Sequence, residues 1–139
     1  MNQKLKIGVL IGALAALSIS YAEVFVVVHQ NSPLQELSSQ KIKRIYLNRK
    51  KTWDHGGIIL KTTLNKHQVH KEFCSRFLSK NPKRFERFWL RIVFTGEGEP
   101  PKSISTEEEL LEFIAAHENA LGYVSKKPDH NGVRVIKVD

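Results

Sequence analysis

The sequence predicts an α/β fold, a mostly parallel or mixed sheet of about four to five strands flanked by about four helices. Three observations predict it. Uninterrupted apolar, β-branched stretches such as Val24-Phe25-Val26-Val27-Val28 suit strands covered on both faces. Strand-like and helix-like segments alternate in the order β-α-β-α-α-β-β. The 139 residues, less a leader of 22, suffice for one sizeable core and little more.

The leader comes first. Lys4 and Lys6 precede an apolar run from Ile7 to Ile19, and Ser20-Tyr21-Ala22 places small residues where a signal peptidase reads. The run is shorter than the ~20 residues a membrane-spanning helix needs. Residues 1–22 are therefore expected to be a signal peptide and 23–139 a single α/β domain, exported to the periplasm. Cys74 is the one cysteine, so no internal disulfide is available and the fold rests on its apolar core.

The first strand is expected over Glu23–Val28. The segment His29-Gln30-Asn31-Ser32-Pro33 ends it with turn chemistry. Ser38 or Ser39 offers an N-cap hydroxyl, and Ile42, Ile45 and Tyr46 follow at helical spacing. A polar loop from Asn48 to Gly57 carries Trp53. Ile58 to Leu64 reads as a strand, and Lys66 to Ser79 as a helix with Val69, Phe73 and Phe77 on one face. Asn81-Pro82 is a strong helix start, a capping side chain followed by proline at the first helical position. Phe85, Phe88, Trp89 and Ile92 then form an apolar stripe. After a loop from Thr95 to Pro101, Ser105 and Glu108 have capping-box spacing, and Leu110, Leu111 and Ile114 are the expected inner face of the last helix. Leu121–Val124 and Val133–Val138 read as closing strands.

With 41% hydrophobic and 26% charged residues, the composition is that of a globular domain, neither disordered nor a membrane bundle. The formal charge is +8. It is segregated: Lys41–Arg91 holds 15 Lys+Arg against 3 Asp+Glu, whereas Ile92–Asp139 holds 5 against 9. The basic half serves either as a solvated face or as an attractor of anions.

Several residue sets carry side chains suited to chemistry. His67, His70 and Cys74, at i, i+3, i+7, share a helix face and are of the types that bind zinc or copper. The competing expectation is that His70 and Cys74 border the core and His67 is solvated. Cys74 as a nucleophile needs a lowered pKa and a base, and His70 is the single support for that. Tyr46 and Trp89 fall at core positions, while Trp53, among Lys50, Lys51 and His55, is the surface aromatic. Glu107-Glu108-Glu109 suits the first turn of a helix. No nucleophile elbow, phosphate loop or paired-acid motif is present, so neither catalysis nor a cofactor is expected, and no nucleic-acid module appears.

A family resemblance rests on particular residues. Val26-Val27-Val28 with Asn31 and Pro33, Leu37-Ser38, Ile42 to Tyr46, and Trp53 before Gly56-Gly57 resemble one lobe of phosphate-type periplasmic solute-binding proteins. The stretches Phe88-Trp89, Phe94-Thr95-Gly96-Glu97-Gly98-Glu99-Pro100-Pro101 and Leu121-Gly122-Tyr123-Val124 resemble, more closely, short single-lobe proteins labelled phosphate ABC transporter substrate-binding protein-like. The resemblance runs from about Val24 to Val138. It implies a single-lobe periplasmic-binding-protein-like domain of type 2 that recognises phosphate or another small oxyanion for a transporter or sensor. In the two-lobed relatives a Ser-Gly-Thr segment at a helix N-terminus wraps the anion. The matching place here is His67-Gln68-Val69, so the wrapping glycine is replaced. Thr62, Thr63, Asn65, His67 and Gln68 are the candidate ligand-binding residues. With one lobe, a homodimer or a partner would have to complete a closed cleft. The alternative is a ligand-less module that contacts the periplasmic part of a membrane protein. A third reading places the basic half on anionic lipid. The exported protein is expected to begin at Glu23, which N-terminal sequencing of the periplasmic fraction checks.

Overall fold

A computed structural model describes residues 23–139 together with Gly12, Ala13, Ala15 and Ala16. The rest of the expected leader lies outside the described residues. The elements are β1 (Phe25–His29), β2 (Glu36–Leu37), α1 (Ser39–Tyr46), β3 (Leu60–Thr63), α2 (Gln68–Phe73), a π-helical turn (Cys74–Leu78), α3 (Pro82–Phe94), β4 (Lys102–Ser103), α4 (Glu107–Ala116), β5 (Ala120–Val124), β6 (Val133–Val135) and β7 (Lys137–Val138). The expected α/β architecture is present. Five strands form a mixed sheet in the order β4-β3-β5-β1-β6, and β2 pairs with β7 in a separate ribbon.

β1 is the strand that the apolar run predicts. Val26, Val27 and Val28 are all buried, because β1 lies between β5 and β6. It runs antiparallel to both neighbours, whereas β3 is parallel to β4 and to β5. The carboxyl ends of β3, β4 and β5 therefore share one edge of the sheet.

Local capping chemistry sets the helix starts. Ser38 Oγ accepts the Lys41 N–H at 3.1 Å, and Asn81 Oδ1 accepts the Arg84 N–H at 2.9 Å ahead of Pro82. The cap of α4 differs from the expected Ser105–Glu108 pair. Thr106 Oγ1 accepts the Glu109 N–H at 3.1 Å, one residue further on. The reason is tertiary. Ile104 is buried and its N–H bonds to Thr63 O at 2.8 Å, which holds the chain extended past β4.

Three other expectations shift. The helix expected from Lys66 to Ser79 is α2 followed by the π turn, and Ser79 ends it at φ +53°. The second strand begins at Leu60; Ile58 is exposed and makes an isolated bridge to Thr52. The last strand divides, since Val133–Val135 pairs with β1 while Lys137–Val138 pairs with β2. Ile136, between them, is buried and donates its N–H to Val26 O at 3.0 Å.

Trp53 corrects the surface assignment. It is 5% exposed, and its indole Nε1–H donates to Asn119 O at 3.0 Å. The loop folds back on itself: the Trp53 N–H bonds to Gly57 O at 3.0 Å, and Gly57 at φ +91° supplies a turn that side chains rarely allow. Tyr46 and Trp89 are core residues as expected, with Trp89 Nε1–H donating to Tyr46 O at 3.0 Å.

β5 approaches β3 and α4 closely because Gly122 has no side chain. A Cβ there would lie 2.6 Å from Thr62 Oγ1 and 3.0 Å from a Leu110 methyl. Thr62 is also bonded to Leu121 O at 2.9 Å, so it does not yield freely. Gly122→Ala is expected to destabilise the protein by about 1–3 kcal/mol, read as a lower urea midpoint.

Candidate functional site

In open α/β sheets, crevices for ligands lie beyond the carboxyl ends of the parallel strands. Here that edge is built by short connections. β3 passes through Leu64–His67 into α2, and β4 passes through Ile104–Thr106 into α4. The candidate residues Thr62, Thr63, Asn65, His67 and Gln68 are all drawn from the first connection and its flanks.

Their placements differ. Thr62 is fully buried, its hydroxyl donating to Leu121 O across the sheet. Thr63 is 1% exposed at the end of β3. Asn65 is exposed, and its amide donates to Ser103 Oγ at 3.1 Å. The His67 ring Nε2 lies 2.6 Å from Ser105 O, which makes it a donor there. Gln68 is exposed at the first position of α2. The edge thus brings together Asn65, His67 and Gln68, with Lys66 between them, and keeps Thr62 as a structural tie. Sequence reading gave Ser105 only a capping role and Lys66 only a helix start, and it passed over Ser103. Ser103 and Ser105 join the edge only through pairing of β3 with β4, which no local pattern announces.

The two helix starts at this edge are electrostatically unlike. α4 carries Glu107, Glu108 and Glu109 in its first turn, and Glu107 Oε1 accepts the Ser125 N–H at 2.6 Å. Its own carboxylates meet the positive end of the helix. α2 has no acid in its first turn, and its N-cap His67 makes no side-chain cap bond.

Beneath the edge sits a buried hydrogen-bonded hub. Tyr123 Oη accepts the Leu64 N–H at 3.0 Å and lies 2.5 Å from His70 Nδ1. The phenol proton is therefore assigned to the bond with His70 Nδ1, which leaves Nε2 carrying the imidazole hydrogen, 3.5 Å from Cys74 Sγ. The Tyr123 ring stacks on Phe73 at 4.0 Å, and Phe73 meets Tyr46 edge-on at 4.7 Å. Tyr46 Oη donates to Thr62 O at 2.9 Å. Burial disfavours every charged form in this cluster. The His70 pKa falls to about 4, that of Cys74 rises to about 12, and both phenols are pushed above their usual range.

These values answer the chemical alternatives. Cys74 is held as a protonated thiol, the opposite of an activated nucleophile. His70 and Cys74 are inside the core, 2% and 0% exposed, and His67 turns away to Ser105. Among the described residues no group of three His, Cys, Asp or Glu side chains is arranged to hold a metal ion.

Between the edge and α3 runs a groove of ≈ 580 Å³, walled in part by Thr63, Asn65, Lys66, His70, Phe85 and Trp89. Among the described residues no helix is long and apolar enough to cross a membrane.

No protein-family model and no curated protein matches the sequence. Solved structures do match the fold. A protein from Clostridium perfringens, assigned as a phosphate ABC transporter substrate-binding protein and solved with bound phosphate, aligns at a TM-score of 0.55 and 20% identity over 84% of this chain and 44% of its own. An ABC-type phosphate transport receptor from Vibrio cholerae gives 0.56 and 14% over 83% and 45%, and PstS from Borrelia burgdorferi gives 0.63 and 8% over 84% and 47%. The chain spans less than half the length of each. It has the fold of part of a periplasmic-binding-protein-like molecule, and the neighbours named here are binding proteins rather than enzymes.

Because His70 titrates at about 4 in the fold and near 6.5 when unfolded, the unfolded chain takes up the proton first as pH falls. Its contribution, roughly 3 kcal/mol, is expected to be complete above about pH 6.5 and to be lost progressively down to pH 4. Urea midpoints across this range should fall with pH, and His70→Gln should flatten that part of the curve.

Proposed function

We propose that the chain is an exported, one-lobe solute-binding domain of the phosphate type, recognising phosphate or another small oxyanion on behalf of a transporter or sensor. The observation that carries this reading is the contrast at the carboxyl edge of the sheet. One helix start there is already met by its own glutamates, while the neighbouring segment Asn65-Lys66-His67-Gln68 carries no acid and presents the Lys66 ammonium and the Gln68 amide, with Asn65 and His67 held beside them by Ser103 and Ser105. Anions are favoured beside such donors and disfavoured beside Glu107. The fold match to phosphate transport proteins supports the class of ligand. The basic half of the chain, which contains this segment, raises the local anion concentration.

The lobe is open. Ligand sites that hold small molecules tightly bury most of the ligand surface, and a single edge cannot. The Gln68 side chain also stands where the relatives' wrapping glycine would be, which prevents the backbone from closing on a tetrahedral anion. Binding by this domain alone is therefore weak, roughly millimolar, and tightens where a facing lobe, a second copy or a membrane partner completes the cleft.

Titrating phosphate, sulfate and chloride into ¹⁵N-labelled protein tests this. Phosphate and sulfate should shift the amides of Asn65 to Val69 saturably, and Lys66→Ala with Gln68→Ala should weaken the response several-fold. Equal, non-saturating shifts with chloride would remove the oxyanion assignment.

A further inference from the structure

We propose that the outer face of α3 is a docking surface for an acidic, apolar segment of another protein. The buried face of α3 is Phe85, Trp89 and Ile92. Leu90, Val93 and Phe94, at i, i+3, i+4, face outward and are 62%, 48% and 93% exposed. A contiguous apolar stripe on a helix that is already anchored by another face marks an interaction site. Leu90 and Val93 are among the residues lining the 580 Å³ groove, together with Pro100 and Pro101.

The neighbouring stripe of the same helix is basic. Lys83, Arg87 and Arg91, at i, i+4, i+8, are exposed, with Arg84 beside them. None of these four is in an ion pair among the described residues, where the ion pairs join Lys41 and Lys50 to Asp54. The single acid on α3 is Glu86, in the groove wall. Side by side, the stripes ask for a partner with apolar side chains to enter the groove and carboxylates to lie along Lys83, Arg87 and Arg91. This is the helix-in-groove mode with the charges chosen by the host.

Other occupants fit less well. A bilayer is flat and does not fill a concave groove. The chain's own leader carries Lys4 and Lys6, of the same sign as the rim. A two-fold dimer through this face would bring two basic stripes into one interface. The groove shares Asn65 and Lys66 with the proposed oxyanion segment, whereas the residues that define the docking stripes are all on α3.

The test is selection of peptides from a random phage library on the mature protein, followed by fluorescence titration of the enriched peptides. Enriched sequences should combine Asp or Glu with Leu, Phe or Trp. Leu90→Ser with Phe94→Ser, and separately Arg87→Glu with Arg91→Glu, should each weaken binding by about tenfold or more. All four positions are exposed, so both variants should keep the wild-type circular dichroism spectrum, and Leu90→Ser with Phe94→Ser should also keep the phosphate response. Enrichment without acidic residues, or binding unaffected by either variant, overturns the proposal. So does sedimentation with phosphatidylethanolamine–phosphatidylglycerol vesicles that both variants abolish, which would assign the face to membrane. A wild-type dimer that these variants convert to monomer would assign it to a second copy.

Discussion

The structure depends on the buried hydroxyl of Tyr123. It accepts the N–H of Leu64 where β3 ends and meets the ring of His70 within α2, while its ring packs flat on Phe73. One side chain on β5 thereby fixes the exit direction of β3, the seating of α2 and the centre of the aromatic core. An unpaired hydroxyl or imidazole at this depth would cost several kcal/mol, so each group needs the others. The connection that follows, Asn65 to His67, is held at the sheet edge because the hub beneath it is satisfied.

Polar residues near that edge divide by what they already do. Thr62 looks like a donor in sequence, yet its hydroxyl ties β3 to β5. Glu107 looks like dipole compensation and is that, but it also holds the Ser125 N–H where β5 ends. Subtracting such occupied groups leaves a short basic and amide-bearing segment and the open groove beside α3. The functional reading rests on that remainder, which is a reading of recognition at the surface of this domain.

Charge segregation takes on structural meaning in this frame. The acids of α4 stabilise their own helix start, and the cations of α3 lie on an exposed face without carboxylate partners among the described residues. A charge run that is indistinguishable from a solvated face in sequence becomes directional when an apolar stripe beside it is also exposed. Phe94 follows the buried stripe of α3 by only two residues, and its outward position depends on which face of the helix the sheet covers.

By itself the sequence determined the α/β class, the burial of β1, and the starts of α1 and α3, because β-branching, periodicity, Ser38 and Asn81-Pro82 act within a few residues. Tertiary structure decided the rest. Trp53 is core because Asn119, 66 positions away, accepts its indole hydrogen, and Thr62 is committed because Leu121 lies 59 positions on. The α4 cap moved to Thr106 because β3 holds Ile104 extended, and the last strand divided because its two ends pair with different partners. Such hydrogen bonds join groups distant along the chain, and no local pattern encodes which distant carbonyl a donor will meet.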